Sequence, residues 1–178
     1  MHSMQIIIWA LALALTLSAA VLDWRSRRIP NWLTVPGLLL GVIAHSLLSG
    51  WHGTLSSLEG AGLALVILLP LVLLRGLGAG DWKLMGAVGA FLGPVLLLFV
   101  LLGSFLASGV MAMIQMMRAG RIVETFQNLW ILLKGFFSFG LRVRPQISLD
   151  NPRLMKLPFG VAVAVATLVC FCAARLVA

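Results

Sequence analysis

The chain has 178 residues, of which 61% are hydrophobic and only 10% charged. A soluble domain is about half apolar and about a quarter charged, so this composition argues against a water-soluble enzyme and for a membrane protein. The net charge of +8 invites a nucleic-acid partner, but the bases sit in short connectors between apolar runs. That is the pattern of cytoplasmic loops, and no nucleic acid is expected to bind.

A spanning helix needs about 20 mostly apolar residues. The first such run, Met4 to Leu22, ends at Asp23 and the Arg25, Arg27, Arg28 cluster. It has no basic start and no small-residue cleavage motif, so it is not laid out as a signal peptide. A second run, Leu33 to Leu48, stops near Ser49 and Gly50, and a third, Leu55 to Leu74, ends at Arg75. The stretch from Leu84 to Met117 is too long for one crossing, and Gly93-Pro94 interrupts it. Proline breaks or kinks a helix interior. The pattern therefore predicts a short helix over 83–92 and a full one over 95–117. The short helix would be about 14 Å long, half a bilayer. Its turn must then be buried in protein, or the membrane must thin around it.

Beyond Arg118, residues Ile122, Phe126, Leu129, Leu133 and Phe136 recur at helical spacing opposite Glu124, Gln127, Asn128 and Lys134. This predicts a helix lying on the cytoplasmic surface. Pro145, Pro152 and Pro158 mark a loop, and a last apolar run covers Leu157 to Ala174. Cys170 and Cys172 diverge by about 200° on a helix and read as small packing residues. With six crossings, nearly all the bases fall on one side, which the positive-inside rule assigns to the cytoplasm. The expected architecture is all-α: a polytopic membrane helix bundle of about six transmembrane helices with one cytoplasmic amphipathic helix. It forms a single domain, 1–178, with 119–156 as a cytoplasmic connector. Both chain ends face away from the cytoplasm.

Only five residues are acidic, and two of them, Asp23 and Asp81, fall at the same predicted membrane boundary. An ionisable group at that depth is a functional candidate by default. Each has a plain alternative: Asp23 as a solvated neighbour of arginines, Asp81 as a helix N-cap. Their neighbours favour function. Gly78 and Gly80 flank Ala79 just before Asp81, and glycine lets another backbone approach closely. The loop lacks the Gly-Lys-Ser/Thr ending of a phosphate-binding loop. Pro30 suits the first turn of the second helix, Asn31 can hydrogen-bond near the site, and Lys83 either pairs with a carboxylate or marks the membrane edge. His45 and His52 fall toward the opposite face, so no metal site shared with the aspartates is expected. Trp24, Trp32, Trp51 and Trp82 lie near predicted interfaces. Two carboxyls that meet point to an aspartic protease. One proton is shared by the pair, the ionised partner activates a water, and the protonated one stabilises the developing charge. No metal or cofactor is needed.

Three patches carry a resemblance: Asp23 followed by Ile29-Pro30-Asn31; Gly78-Ala79-Gly80-Asp81 with Lys83 and Leu84; and Leu157-Pro158-Phe159-Gly160. Together they resemble the type IV prepilin peptidase family, from the first helix to the last. The Gly-x-Gly-Asp motif also occurs in presenilin-like proteases; its combination with Ile-Pro-Asn and the small size favours the prepilin group. The resemblance implies a membrane aspartic endopeptidase of the bacterial inner membrane with Asp23 and Asp81 catalytic. Gly78, Gly80, Lys83, Asn31 and Pro30 would shape the site. The implied substrates are prepilin or pseudopilin precursors, cut at the cytoplasmic face, with the pilus assembly machinery as a candidate partner. Larger members also methylate the new N-terminus and carry an extra N-terminal region with paired Cys motifs. This chain starts directly at a helix and looks like the short, peptidase-only form of tight-adherence pilus systems. The competing readings are a preflagellin-type or other signal-processing membrane aspartic protease, and a non-catalytic scaffold or transporter that retains the motifs.

Overall fold

The computed structural model describes residues 3–74, 76–119 and 158–177, and among these there is no strand. Four helices follow one another: α1 (Ser3–Ser26), α2 (Asn31–Leu73), α3 (Ala79–Ala119) and α4 (Phe159–Val177). Each is long and apolar enough to cross a membrane, as the composition predicts. Met1–Ser108 and Pro158–Ala178 make one packed unit; the second unit, Gly109–Leu157, is described only over the end of α3. The surface helix expected near 122–140 lies outside the described residues.

About six transmembrane helices were expected over the whole chain; the described residues form four helices, because two long ones are each broken at one glycine. In α2, Gly50 leaves the helical region (φ 57°, ψ −141°). Ser46 Oγ lies 2.7 Å from Thr54 Oγ1 across that point, where one straight helix would hold them about 12 Å apart. Farther along, Leu38 and Leu65 both reach Gly86, whose added Cβ would lie 3.7 and 3.0 Å from them. A straight helix would separate these leucines by about 40 Å. The helix therefore folds back at Gly50 into two arms, 31–49 and 51–73. Positive φ at this turn suits glycine and few other residues.

The break in α3 falls at Gly93 (φ 74°, ψ 177°), just before Pro94. Here too the chain reverses. Phe105 packs against Phe159 with the rings tilted and their centroids 5.9 Å apart, next to the Gly160 amide that reaches Asp23. Proline has no N–H, so the Ala90 carbonyl four residues back loses its helical donor. The Ser57 hydroxyl supplies a replacement at 2.7 Å, and His45 Nε2 donates to the Phe91 carbonyl, also at 2.7 Å. Irregular backbone at membrane depth needs such partners.

The first arm of α3, 79–92, is the centre of the bundle. Every residue from Leu84 to Leu92 is buried. That fits its composition, apolar or small on all sides. Small residues let the neighbours close in: Gly41 lies against the backbone of Ala90 and Phe91, and Gly60 meets Gly89 backbone to backbone. Without a hydrophobic drive between helices in lipid, such close van der Waals approach is what holds a bundle together. α1 packs along α4 through a stripe of Trp9, Ala12, Thr16 and Ala19, all buried and spaced three or four apart.

Candidate active site

The stripe that buries α1 continues one step past Ala19 to Asp23. The same periodicity that turns Ala12 and Thr16 inward turns this carboxyl inward, leaving it 5% exposed. Its Oδ2 accepts a hydrogen bond of 2.8 Å from the Gly160 backbone N–H at the start of α4. The helix ends three residues later, at Ser26. Arg27 takes φ 52°, and its N–H bonds back to the Asp23 carbonyl at 2.8 Å, an αL termination usually built on glycine. The Ser26 hydroxyl bonds the carbonyls of Leu22 and Arg28 at 2.7 and 3.0 Å. The Arg27 charge acts on the Asp23 carboxylate.

Asp81 sits in the first turn of α3, so it is not the N-cap that the sequence alternative allowed. Its carboxylate folds back to the Gly78 backbone amide, while the Gly78 carbonyl accepts from Trp82 N–H at 3.1 Å. This is half of a capping box, with an acid in the first turn satisfying an otherwise orphaned N–H. A Cβ at Gly78 would lie 2.8 Å from Asp81 Oδ2, so a side chain there would push the carboxylate tip aside.

Ile29 joins the two aspartate sites. It is buried, and a Cβ on Gly80 would lie 2.8 Å from its carbonyl oxygen, so the backbone after α1 lies directly on the first turn of α3. On its other side, the Ile29 Cδ1 methyl would be 3.2 Å from a Cβ at Gly160. The Ile-Pro-Asn, Gly-x-Gly-Asp and Pro-Phe-Gly patches thus meet around one side chain. Asp23 and Asp81 come close enough for the charge of one to act on the other.

The remaining predicted residues sit around this centre. Pro30 is the N-cap of α2 rather than a first-turn residue, and its carbonyl accepts from the amides of Leu33 and Thr34 at 3.2 and 3.4 Å. Lys83 Nζ donates to Asn31 Oδ1 at 3.0 Å on an exposed edge, tying the start of α2 to the start of α3. Trp82 is partly buried and donates its indole N–H to the Leu65 carbonyl at 2.8 Å, whereas Trp24, Trp32 and Trp51 are exposed. Gly160 was not among the site residues expected from the sequence. Its signal there was the Pro-Phe-Gly patch, which says nothing of what its amide reaches. Among the described residues no three of His, Cys, Asp and Glu gather where a metal ion could bind.

No curated protein and no solved structure matches the chain. A family model does, that of the type IV leader peptidase family, over residues 9–113. The match covers more than half of the chain and includes both aspartates, the Ile-Pro-Asn patch and the glycine loop. On that match the chain, an integral membrane protein by its helices, belongs to the type IV leader peptidase family and is a peptidase.

Proposed function

We propose that this peptidase is an aspartic endopeptidase that removes the basic leader from type IV prepilin or pseudopilin precursors, with Asp23 and Asp81 as its catalytic pair. The observation that carries the reading is the convergence of these two carboxyls. They come from separate helices, each is held by a backbone amide, and each is set by a glycine that allows the close approach. On this reading the two carboxyls hold one proton between them, since neighbouring carboxylates do not both ionise cheaply. The ionised member takes a proton from a water, the water attacks the scissile carbonyl, and the protonated member donates as the amine leaves. Gly78 is exposed beside Asp81, leaving backbone groups open to an extended substrate strand.

On this reading the arms of α2 and α3 make separate crossings, giving six with α1 and α4, and the aspartates face the basic, cytoplasmic side of the inner membrane. The precursor's apolar helix stays in the bilayer while its leader reaches the aspartates from the cytoplasm. The deciding test is purified protein in lipid vesicles with a prepilin, the cut site being read by mass spectrometry. Cleavage after the leader supports the reading. An intact precursor, or normal processing by both Asp23→Asn and Asp81→Asn, overturns it. A panel of prepilin, preflagellin and secretory precursors then fixes the substrate class.

A further inference from the structure

Glu59 lies on the second arm of α2, inside the run Leu55–Leu74 that composition alone assigns to hydrocarbon. It is exposed, and among the described residues it has no hydrogen-bond or ion-pair partner. A bare carboxylate facing acyl chains is costly, and such residues usually pair or face a bundle interior. Glu59 does neither. The arm between it and the helix end at Leu73 rises about 21 Å, well short of the hydrocarbon thickness of about 30 Å in a typical bilayer.

The neighbouring helix stops at the same level. The first arm of α3, 79–92, rises about 20 Å and ends at the Gly93 break. The Ser57 hydroxyl caps Ala90 at this height, and a Cβ on Gly93 would lie 2.9 Å from Ser56 Oγ. Ser56, Ser57 and Glu59 therefore form a polar shelf at the end of the bundle remote from the aspartates. His45, bonded to Phe91, reaches the same break. The α3 arm is buried from Leu84 to Gly93, so protein covers its break; the arm of α2, exposed at Leu58, Val66 and Leu69, is the one whose height the lipid must match.

We propose that the bilayer is locally thinned beside this arm of α2, with about 20 Å of hydrocarbon against it and Glu59 anchored in the headgroup layer. Leu55, Leu58 and Trp51, all exposed, then lie among headgroups rather than acyl chains. The partner is the lipid itself, drawn toward the shelf by a carboxylate that cannot enter hydrocarbon.

The test is independent of peptidase activity. In a Cys170→Ala, Cys172→Ala background, single cysteines replace Leu55, Leu58, Val66 or Leu69, all exposed and all leaving Glu59 in place. The full chain is reconstituted in dioleoyl phosphatidylcholine vesicles opened to reagent on both faces, and labelling by a charged maleimide is timed. Positions 55 and 58 should label at least about tenfold faster than 66 and 69, since a charged reagent is excluded from hydrocarbon. Adding Glu59→Leu should slow labelling at 55 and 58, most of all in long-chain dierucoyl lipid. Equal, slow labelling at all four positions overturns the proposal, as does a Glu59→Leu variant with an unchanged pattern.

Discussion

The Gly160 amide donates to Asp23 Oδ2 across 137 positions of sequence. This one bond ties the last helix to the end of the first and fixes the orientation of a carboxyl that the proposed chemistry needs. A Cβ at Gly160 would lie 3.1 Å from both Asp23 Cβ and Oδ2, and 3.2 Å from Ile29 Cδ1. These contacts are tight, but two of the three atoms belong to side chains that can shift. Gly160→Ala should therefore fold and insert while cleaving a prepilin about tenfold more slowly, the equivalent of about 1.4 kcal/mol in the barrier. Gly160→Val should lose about a hundredfold or more. Initial rates normalised to membrane-inserted protein check both, and wild-type rates from Gly160→Val would remove the positioning role.

Asp23→Asn and Asp81→Asn should each lower the rate at least about a thousandfold without loss of insertion. The double variant should be no worse than either single one, because groups that act as a unit fail together. Additive losses would mean that the carboxyls work independently. Asp23→Glu should be nearly as damaging: the longer side chain moves the acceptor away from the Gly160 amide, and small misplacements in a reacting pair are costly.

Much of this arrangement is legible in the chain. Asp23 continues the three-and-four spacing of Trp9, Ala12, Thr16 and Ala19, so its inward direction follows from helix geometry alone. Gly93-Pro94 announces its own break. Gly50 falls where the runs Leu33–Leu48 and Leu55–Leu74 part, so a break there is legible too; that a single glycine makes the whole turn is less so, because a glycine inside an apolar helix costs only about 1 kcal/mol. The Gly160–Asp23 bond could not be read at all: a backbone amide leaves no side-chain signature, and which carboxyl it meets depends on how α4 packs on α1. Lys83 illustrates the same limit. Its charge allows a carboxylate partner or a place at the membrane edge, and in the structure its ammonium donates to Asn31 on an exposed edge.

Gly80 makes a sharper steric prediction than Gly160. A Cβ there would lie 2.8 Å from the Ile29 carbonyl oxygen, 3.2 Å from Ile29 Cβ and 3.4 Å from Ile29 N. These are backbone atoms or atoms fixed to backbone, so relief requires moving the connector away from α3. Gly80→Ala should cost about 1–3 kcal/mol of stability and most of the activity, since the shift separates the aspartates. Gly62→Ala is the matched control. Nothing lies within 4 Å of a Cβ there, and replacing a mid-helix glycine by alanine should gain about 0.5–1 kcal/mol. Melting temperatures in one detergent, with cleavage rates alongside, separate the two. Equal effects would contradict the close approach at Ile29.

Ser57→Ala tests how the Gly93 break is tolerated. Residue 94 is proline, so once the hydroxyl is removed the buried Ala90 carbonyl has no helical N–H to fall back on. An unsatisfied buried acceptor costs about 1–3 kcal/mol, and the melting temperature should fall accordingly. Ser57→Thr keeps the hydroxyl and should recover most of that loss if the added methyl finds room. His45→Ala removes the donor to the next carbonyl, Phe91, in a partly buried setting. The two sites cap consecutive carbonyls of one helix end, so their losses should not add: once one capped carbonyl is freed, the turn relaxes and the second bond is already weakened. Strict additivity in the double variant would show that Gly93 and Pro94 hold the turn without help from either side chain.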